Sequence, residues 1–205
     1  MLVLASASPR RRDLLLQAGF SFEVHPAHIP EDPLPAEDPI VYVTRLAREK
    51  AEAVYRELCA VNGSPEKLRL NGQFAVLGAD TTVTLDNAIL GKPEDATDAA
   101  RMLRLLSGRT HRVVTGVALA TAKGTEVAAE VTAVRFLTLS EAEIADYVAT
   151  GEPMDKAGAY AIQGRAARWI PRVEGCYFNV VGLPLALVSS LLDVSGILAQ
   201  VPSID

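Results

Sequence analysis

Cysteine is nearly absent. The 205 residues hold two, Cys59 and Cys176, which form neither a CxxC pair nor a zinc spacing. Reduced thiols in a cytoplasmic protein are the expectation, and nothing points to a cysteine nucleophile. Histidine is as scarce. His25, His28 and His111 are scattered, so no helix face carries the paired ligands of a zincin. Basic residues are outnumbered by acids, 20 to 25, giving a net charge of −5. With that balance, and with no aromatics interleaved among the basic residues, stable nucleic-acid binding is not expected. An anion would have to be held by a local cluster of cations. Long uninterrupted apolar runs are missing too. Residues 180–201 contain Pro184, Asp193 and Gly196, which suits a buried C-terminal helix better than a membrane span. The first eight residues are too short for a signal core, and Arg10-Arg11-Arg12 follow them instead of preceding them. The phosphate-binding and nucleophile motifs G-x-x-x-x-G-K-[ST], G-x-G-x-x-G and G-x-S-x-G are absent.

What is present is an ordinary globular balance, 49% hydrophobic and 22% charged. Residues 1–205 are read as a single domain, long enough to bury roughly 70% of the unfolded chain's surface. Residues 2–5 read as a buried strand. Ser8 is placed as N-cap and Pro9 at the first helical position of a helix that stops at Gly19. Residues 20–24 and 74–78 read as strands, the latter ending at Ala79-Asp80. Residues 82–85 and 88–90 are expected to pair as a hairpin across Asp86-Asn87. A long helix is expected over 40–58, a loop over 62–72 and a helix over 95–106. Strands follow at 112–121 and 127–137, and a helix opens on a Ser140–Glu143 capping box. Residues 169–173 and 177–181 read as strands, and the last helix begins near Pro184. The mixture of hairpins and crossovers predicts an α/β fold with a mixed sheet.

Several stretches carry chemistry. Three arginines in the first turn of a helix oppose the half-positive charge of its free N–H groups. Their position makes sense if a polyanion docks on that helix N-terminus, and otherwise they form a solvated basic patch. Lys50 falls on the apolar stripe of helix 40–58, where it either snorkels to solvent or meets an anion at the core edge. Asp80 follows an apolar strand, as a site carboxylate or a turn residue. Gly91-Lys92-Pro93 can preorganise one cation. Glu31, between Pro30 and Pro33, is a stiffened ligand or a solvated acid. The segment from Asp155 to Gly164 mixes charged, small and amide residues, and Gln163 can both donate to and accept from a base edge.

Together these stretches resemble the Maf family of nucleoside triphosphate pyrophosphatases. The resemblance rests on Leu4-Ala5-Ser6-Ala7-Ser8-Pro9-Arg10-Arg11, on Arg45 to Ala51, Gly78-Ala79-Asp80-Thr81 and Gly91-Lys92-Pro93. It continues through Met102 to Gly108, Asp155 to Gly164 and Val181-Gly182-Leu183-Pro184-Leu185. The pieces occur in family order over nearly the whole chain. The resemblance implies an inosine triphosphatase-like fold, a mixed twisted sheet with two lobes around a central cleft. It implies hydrolysis of a nucleoside triphosphate to the monophosphate and pyrophosphate with a divalent metal, Mg²⁺ or Mn²⁺, and it carries a homodimer as an expectation. It casts Asp80 and Lys92 as catalytic, and Glu31 and Asp80 as metal ligands. Ser8, Arg10, Arg11 and Lys50, with Thr81, Lys156 and Gln163, become substrate-binding. The Ala157-Gly158-Ala159-Tyr160-Ala161-Ile162-Gln163-Gly164 pattern is similar to the dTTP/UTP branch. The 7-methyl-GTP branch usually has a glutamate where Gln163 stands. The alternatives are that branch and a non-catalytic nucleotide-binding cell-division regulator, although a sensor needs the cations and not the base.

Overall fold

The computed structural model describes residues 1–62 and 74–197. It places seven strands in one sheet of order β2-β1-β3-β5-β6-β7, with β4 also paired to β3. β1 (Leu2–Leu4), β2 (Glu23–Val24) and β3 (Ala75–Leu85) pair in parallel, with β1 between the other two. β3 is antiparallel to β4 (Ala88–Leu90) and to β5 (Thr110–Thr121). β6 (Gly124–Arg135) and β7 (Arg172–Glu174) continue the antiparallel order. The mixed α/β sheet is the one expected. The α-helices among the described residues are α1 (Pro9–Gln17), α2 (Pro39–Asn62), α3 (Ala96–Leu106), α4 (Glu141–Val148), α5 (Tyr177–Val181) and α6 (Leu185–Val194).

Local chemistry starts these helices where the sequence suggests. The Ser8 side chain accepts from the Arg11 N–H, Pro9 opens α1, and Gly19 takes a left-handed φ of 78° after it. Asp95 caps α3, and Ser140 and Glu143 form a full capping box on α4.

Several expectations fail. Residues 74–78 and 82–85 are not separate strands; β3 runs unbroken through Asp80, which pairs with Gly116 of β5. Gly78 is not a strand end. It is there because α2 lies on it, and a Cβ at Gly78 would sit 2.2 Å from the Ala47 carbonyl oxygen. Gly116 serves the same approach, 2.3 Å from the Val43 carbonyl oxygen by the same construction. The second failure is residues 177–181, which form α5 and not a strand. Their aromatic and β-branched residues suggest extended chain. The buried Asn179 amide instead donates to Val113 O at 3.0 Å and Thr132 Oγ1 at 2.9 Å, tying the segment across β5 and β6. Trp169 likewise lies in a 3₁₀ turn (Arg165–Trp169), and the strand begins only at Arg172. The second strand shrinks to two residues, Glu23 and Val24. The expected loop 62–72 lies outside the described residues except at Asn62, which belongs to α2.

Three apolar clusters hold the layers. α2 packs Ala47, Ala51 and Val54 on one face of β1, β3 and β5. Leu14, Leu15, Leu183, Val188 and Leu192 cover the opposite face. α3, α4 and the 3₁₀ turns gather Leu103, Leu106, Phe136, Tyr147, Tyr160 and Trp169 at the far end of β3, β5 and β6. Each fully buried leucine contributes about 2 kcal/mol by removing apolar surface from water. Cys59 and Cys176 are free thiols. No helix among the described residues is long and apolar enough to cross a membrane.

His111 lies within the last of these clusters, 1% exposed, with its Nε2 2.8 Å from the Tyr160 hydroxyl. Burial lowers its pKa to about 4. The unfolded chain takes up this proton near pH 6.5 and the folded chain does not, so stability falls as the pH drops below 6.5. Linkage puts the loss at about 2 kcal/mol by pH 5. In urea titrations, the deficit of His111→Gln relative to wild type should therefore be about 2 kcal/mol smaller at pH 5 than at pH 7. An equal deficit at both would remove His111 from the acid response.

Candidate active site

The strand topology makes the cleft. β5 occupies one edge of β3 from Val76 to Thr84. On the other edge β1 pairs only with residues 75–77 and β4 only with residues 83–85. Residues 78–82 are left open between them, and a cleft of about 690 Å³ occupies that gap. Asp80 is thus not at a strand end but in mid-strand, where the partner on one edge changes from parallel to antiparallel.

The cleft brings together every residue to which the resemblance gave a site role, while Arg12 of the arginine cluster lies outside it and pairs with Asp13 at the surface. Ser8, Arg10 and Arg11 come from the start of α1, Lys50 from α2, and Asp80 and Thr81 from β3. Glu31, Lys92, Lys156 and Gln163 arrive from four loop and turn segments. Alternation along β3 sends Gly78 and Asp80 toward α2 and Thr81 toward α1.

At the centre, Lys50 Nζ stands 2.7 Å from Asp80 Oδ1 and 2.6 Å from Glu31 Oε1. Lys50 is 6% exposed and Asp80 8%, so Lys50 meets an anion at the core edge and does not snorkel. The two glycine approaches allow this, because α2 could not otherwise come close enough to β3. Burial raises the Asp80 pKa, and the charges of Lys50 and Arg11 oppose that rise without cancelling it. At Glu31 burial pushes upward too. The Lys50 hydrogen bond and the charges of Lys50, Lys92 and Arg11 outweigh it and hold the carboxyl below its ordinary range.

Arg11 differs from its neighbour. Its Nε donates to Gly182 O at 2.9 Å, and its terminal nitrogens donate to Ser6 Oγ at 3.1 Å and Thr81 Oγ1 at 3.0 Å. It therefore braces α1 against β3 and the turn after α5. Among the described residues Arg10 pairs with Asp155 at 3.5 Å, and Lys156 pairs with the same Asp155 carboxylate. Lys92 is exposed. Its turn is tied to the Gln163 segment by Gly158 N–H donating to Gly91 O at 3.0 Å.

Several supporting residues were not legible beforehand. Tyr42 donates its hydroxyl to Glu31 O at 2.9 Å. Arg45 forks onto Glu37 at 2.7 and 2.8 Å and reaches Asp32 O at 3.2 Å. Together they clamp the Glu31 loop onto α2. Tyr42, Leu46 and Lys50 recur at four-residue spacing, so helical periodicity could have placed Tyr42 beside Lys50. No such signal marks Ser6 or Asp155, whose partners lie in distant segments or within a turn.

A metal could be held here. Glu31 and Asp80 already converge on one cationic centre. Among the described residues no group of three or more His, Cys, Asp or Glu is placed to bind a metal alone. Mg²⁺ needs no such cage, since it keeps waters and takes one or two carboxylates with phosphate oxygens. The donor set fits a metal that arrives with a polyphosphate.

A family model described as Maf-like protein matches residues 1–194. A protein of Koribacter versatilis (strain Ellin345), named dTTP/UTP pyrophosphatase, is 50% identical over 96% of this chain and 95% of its own length. One of Geobacter sp. (strain M21) with the same name is 53% identical, covering 97% of each chain. The solved structure of the Staphylococcus aureus Ham1 protein aligns over 95% of this chain and 98% of its own, with a TM-score of 0.42 and 12% identity.

Proposed function

The chain belongs to the Maf-like protein family, and on that premise we propose that it is a nucleoside triphosphate pyrophosphatase that hydrolyses dTTP and UTP to the monophosphate and pyrophosphate. The observation that carries this reading is the buried Asp80 carboxylate facing a cleft lined with cations from separate chain segments. A triphosphate brings about four negative charges, and burying them requires matching positive charge. Arg10, Lys92 and Lys156 line the cleft with side chains that are not fully buried. The free N–H groups of α1 add their half-charge beside Ser8.

Asp80 acts as general base. Burial raises its pKa, so it holds a proton better than a solvated aspartate would. It removes a proton from water as the water oxygen bonds to the α-phosphorus. The α–β bridging bond breaks and pyrophosphate leaves with the bonding electrons. Lys50 keeps Asp80 ionised before the step and offsets negative charge beside it. Mg²⁺ or Mn²⁺, held by Glu31 and Asp80 with the phosphates, would neutralise charge on the phosphoryl oxygens and leaving group.

The direct test measures pyrophosphate released from each common nucleoside triphosphate and from 7-methyl-GTP, with Mg²⁺ and with Mn²⁺. The expected result is highest kcat/KM for dTTP and UTP. No pyrophosphate from any of them, with the nucleotide still bound, would leave a sensor, and preference for 7-methyl-GTP would move the chain to that branch.

Gln163 is the base-reading residue in this proposal. Its amide offers a donor and an acceptor, matching the carbonyl oxygens and N–H of a uracil or thymine edge. A carboxylate there can only accept. Gln163→Glu should abolish the dTTP and UTP preference in a competition assay, and unchanged relative rates would exclude base reading by Gln163.

A further inference from the structure

Gln163 sits in a turn whose two ends converge on one hydroxyl–carboxylate pair outside the cleft lining. Tyr147 of α4 is 2% exposed, its ring edge-on to Trp169 with centroids 5.1 Å apart. Its hydroxyl donates to Glu152 Oε1 at 2.7 Å and accepts from the Ala161 N–H at 3.1 Å. The Glu152 carboxylate in turn accepts from the Arg165 N–H, at 3.1 and 3.3 Å. Ala161 and Arg165 lie two residues either side of Gln163. Gly164 closes the turn by donating to Ala161 O at 3.1 Å. A Cβ on Gly164 would stand 1.9 Å from Glu152 Oε1, so the glycine is there to let the carboxylate reach the turn.

We propose that Tyr147 and Glu152 are positioning residues that set nucleobase selectivity by fixing the turn carrying Gln163. This rests on the reading of Gln163 as the base-reading residue. The hydroxyl spends its donor on Glu152 and accepts from Ala161, so it joins the two halves of the clamp. None of these hydrogen bonds reaches Asp80, Lys50, Glu31 or the arginines of α1. The clamp therefore acts on where the Gln163 amide stands, not on proton removal or on phosphate charge. Released, the turn samples other positions, and the base that Gln163 reads loses most.

Tyr147→Phe removes the hydroxyl and keeps the ring against Trp169. Steady-state kinetics with UTP and GTP should show the UTP:GTP ratio of kcat/KM falling roughly tenfold, the weight of one hydrogen bond. The loss should lie mainly in KM for UTP. Glu152→Gln, which can still accept from the Arg165 N–H, should keep a ratio closer to wild type than Glu152→Ala. Gln163→Ala is the control. If Gln163→Ala collapses the ratio and Tyr147→Phe leaves it unchanged, the clamp proposal is overturned while base reading stands. If Gln163→Ala changes nothing, base reading fails and the clamp with it. A Tyr147→Phe variant slowed equally on both nucleotides is a merely structural effect and also overturns the proposal. The Tyr147→Phe, Gln163→Ala double variant should discriminate no worse than Gln163→Ala alone; a further fall would mean the hydroxyl acts elsewhere.

Discussion

Asp80→Asn should cut pyrophosphate release from UTP and dTTP by about two orders of magnitude or more, within the range that general-base help supplies. Asparagine keeps the shape of the side chain, and its amide oxygen can still accept from Lys50 Nζ, now 2.7 Å from Oδ1. What it cannot do is take a proton from water. The fold should survive, because the variant buries a neutral group and Lys50 keeps the Glu31 carboxylate as its counter-charge at 2.6 Å. Circular dichroism and urea unfolding should match wild type while kcat collapses. Full turnover in a folded variant would take the general-base role away from Asp80.

Lys50→Met should destabilise the chain by about 3–5 kcal/mol at neutral pH, the usual cost of removing one partner from a buried pair. Methionine fills a similar volume, so the loss is electrostatic. Glu31 is half-exposed and can turn to water, whereas Asp80 cannot. The direction with pH follows from Asp80, whose folded-state pKa is already raised by burial and rises further once Lys50 is gone. A carboxyl raised in the folded state stabilises below its unfolded pKa and loses that contribution as pH climbs through the folded value. The Lys50→Met deficit should therefore be larger at pH 8 than at pH 5. Adding Asp80→Asn should recover most of it, since no charge then remains to be buried unpaired. A deficit independent of pH and unaffected by Asp80→Asn would mean that Lys50 contributes packing alone.

These two residues also show how far the chain's sequence could be read. Lys50 announced itself, because a cation on the stripe of Val43, Leu46, Ala47 and Val54 violates helical patterning. Its pairing with Glu31 and Asp80 did not, because they stand 19 and 30 positions away in a proline-rich loop and a strand. Asp80 was found for a partly mistaken reason. Gly78 reads as a strand break, and only the packing of α2 explains it. Tyr177 to Val181 mislead in the same way, since Asn179 makes the hydrogen bonds that bend the segment only after β5 and β6 are in place. The Tyr147–Glu152 clamp has no sequence signature, because its bonds reach the main chain of Ala161 and Arg165, where any residue type has the same N–H.

Signals confined to one turn of chain were decided by the sequence itself. These include the Ser8-Pro9 start of α1, the capping box at Ser140, the glycine after α1 and the conflict of arginines with a helix N-terminus. They depend on neighbours three or four residues apart, whose geometry is set by the backbone alone. The tertiary structure decided everything that needs two distant segments at one distance. It left residues 78–82 of β3 open between β1 and β4, joined Glu31, Lys50 and Asp80 into one buried cluster, and committed Arg11 to bracing while leaving Arg10 at the cleft. The physical reason is that charge pairing and burial act through space with no fixed separation along the chain, so no spacing in the sequence encodes them.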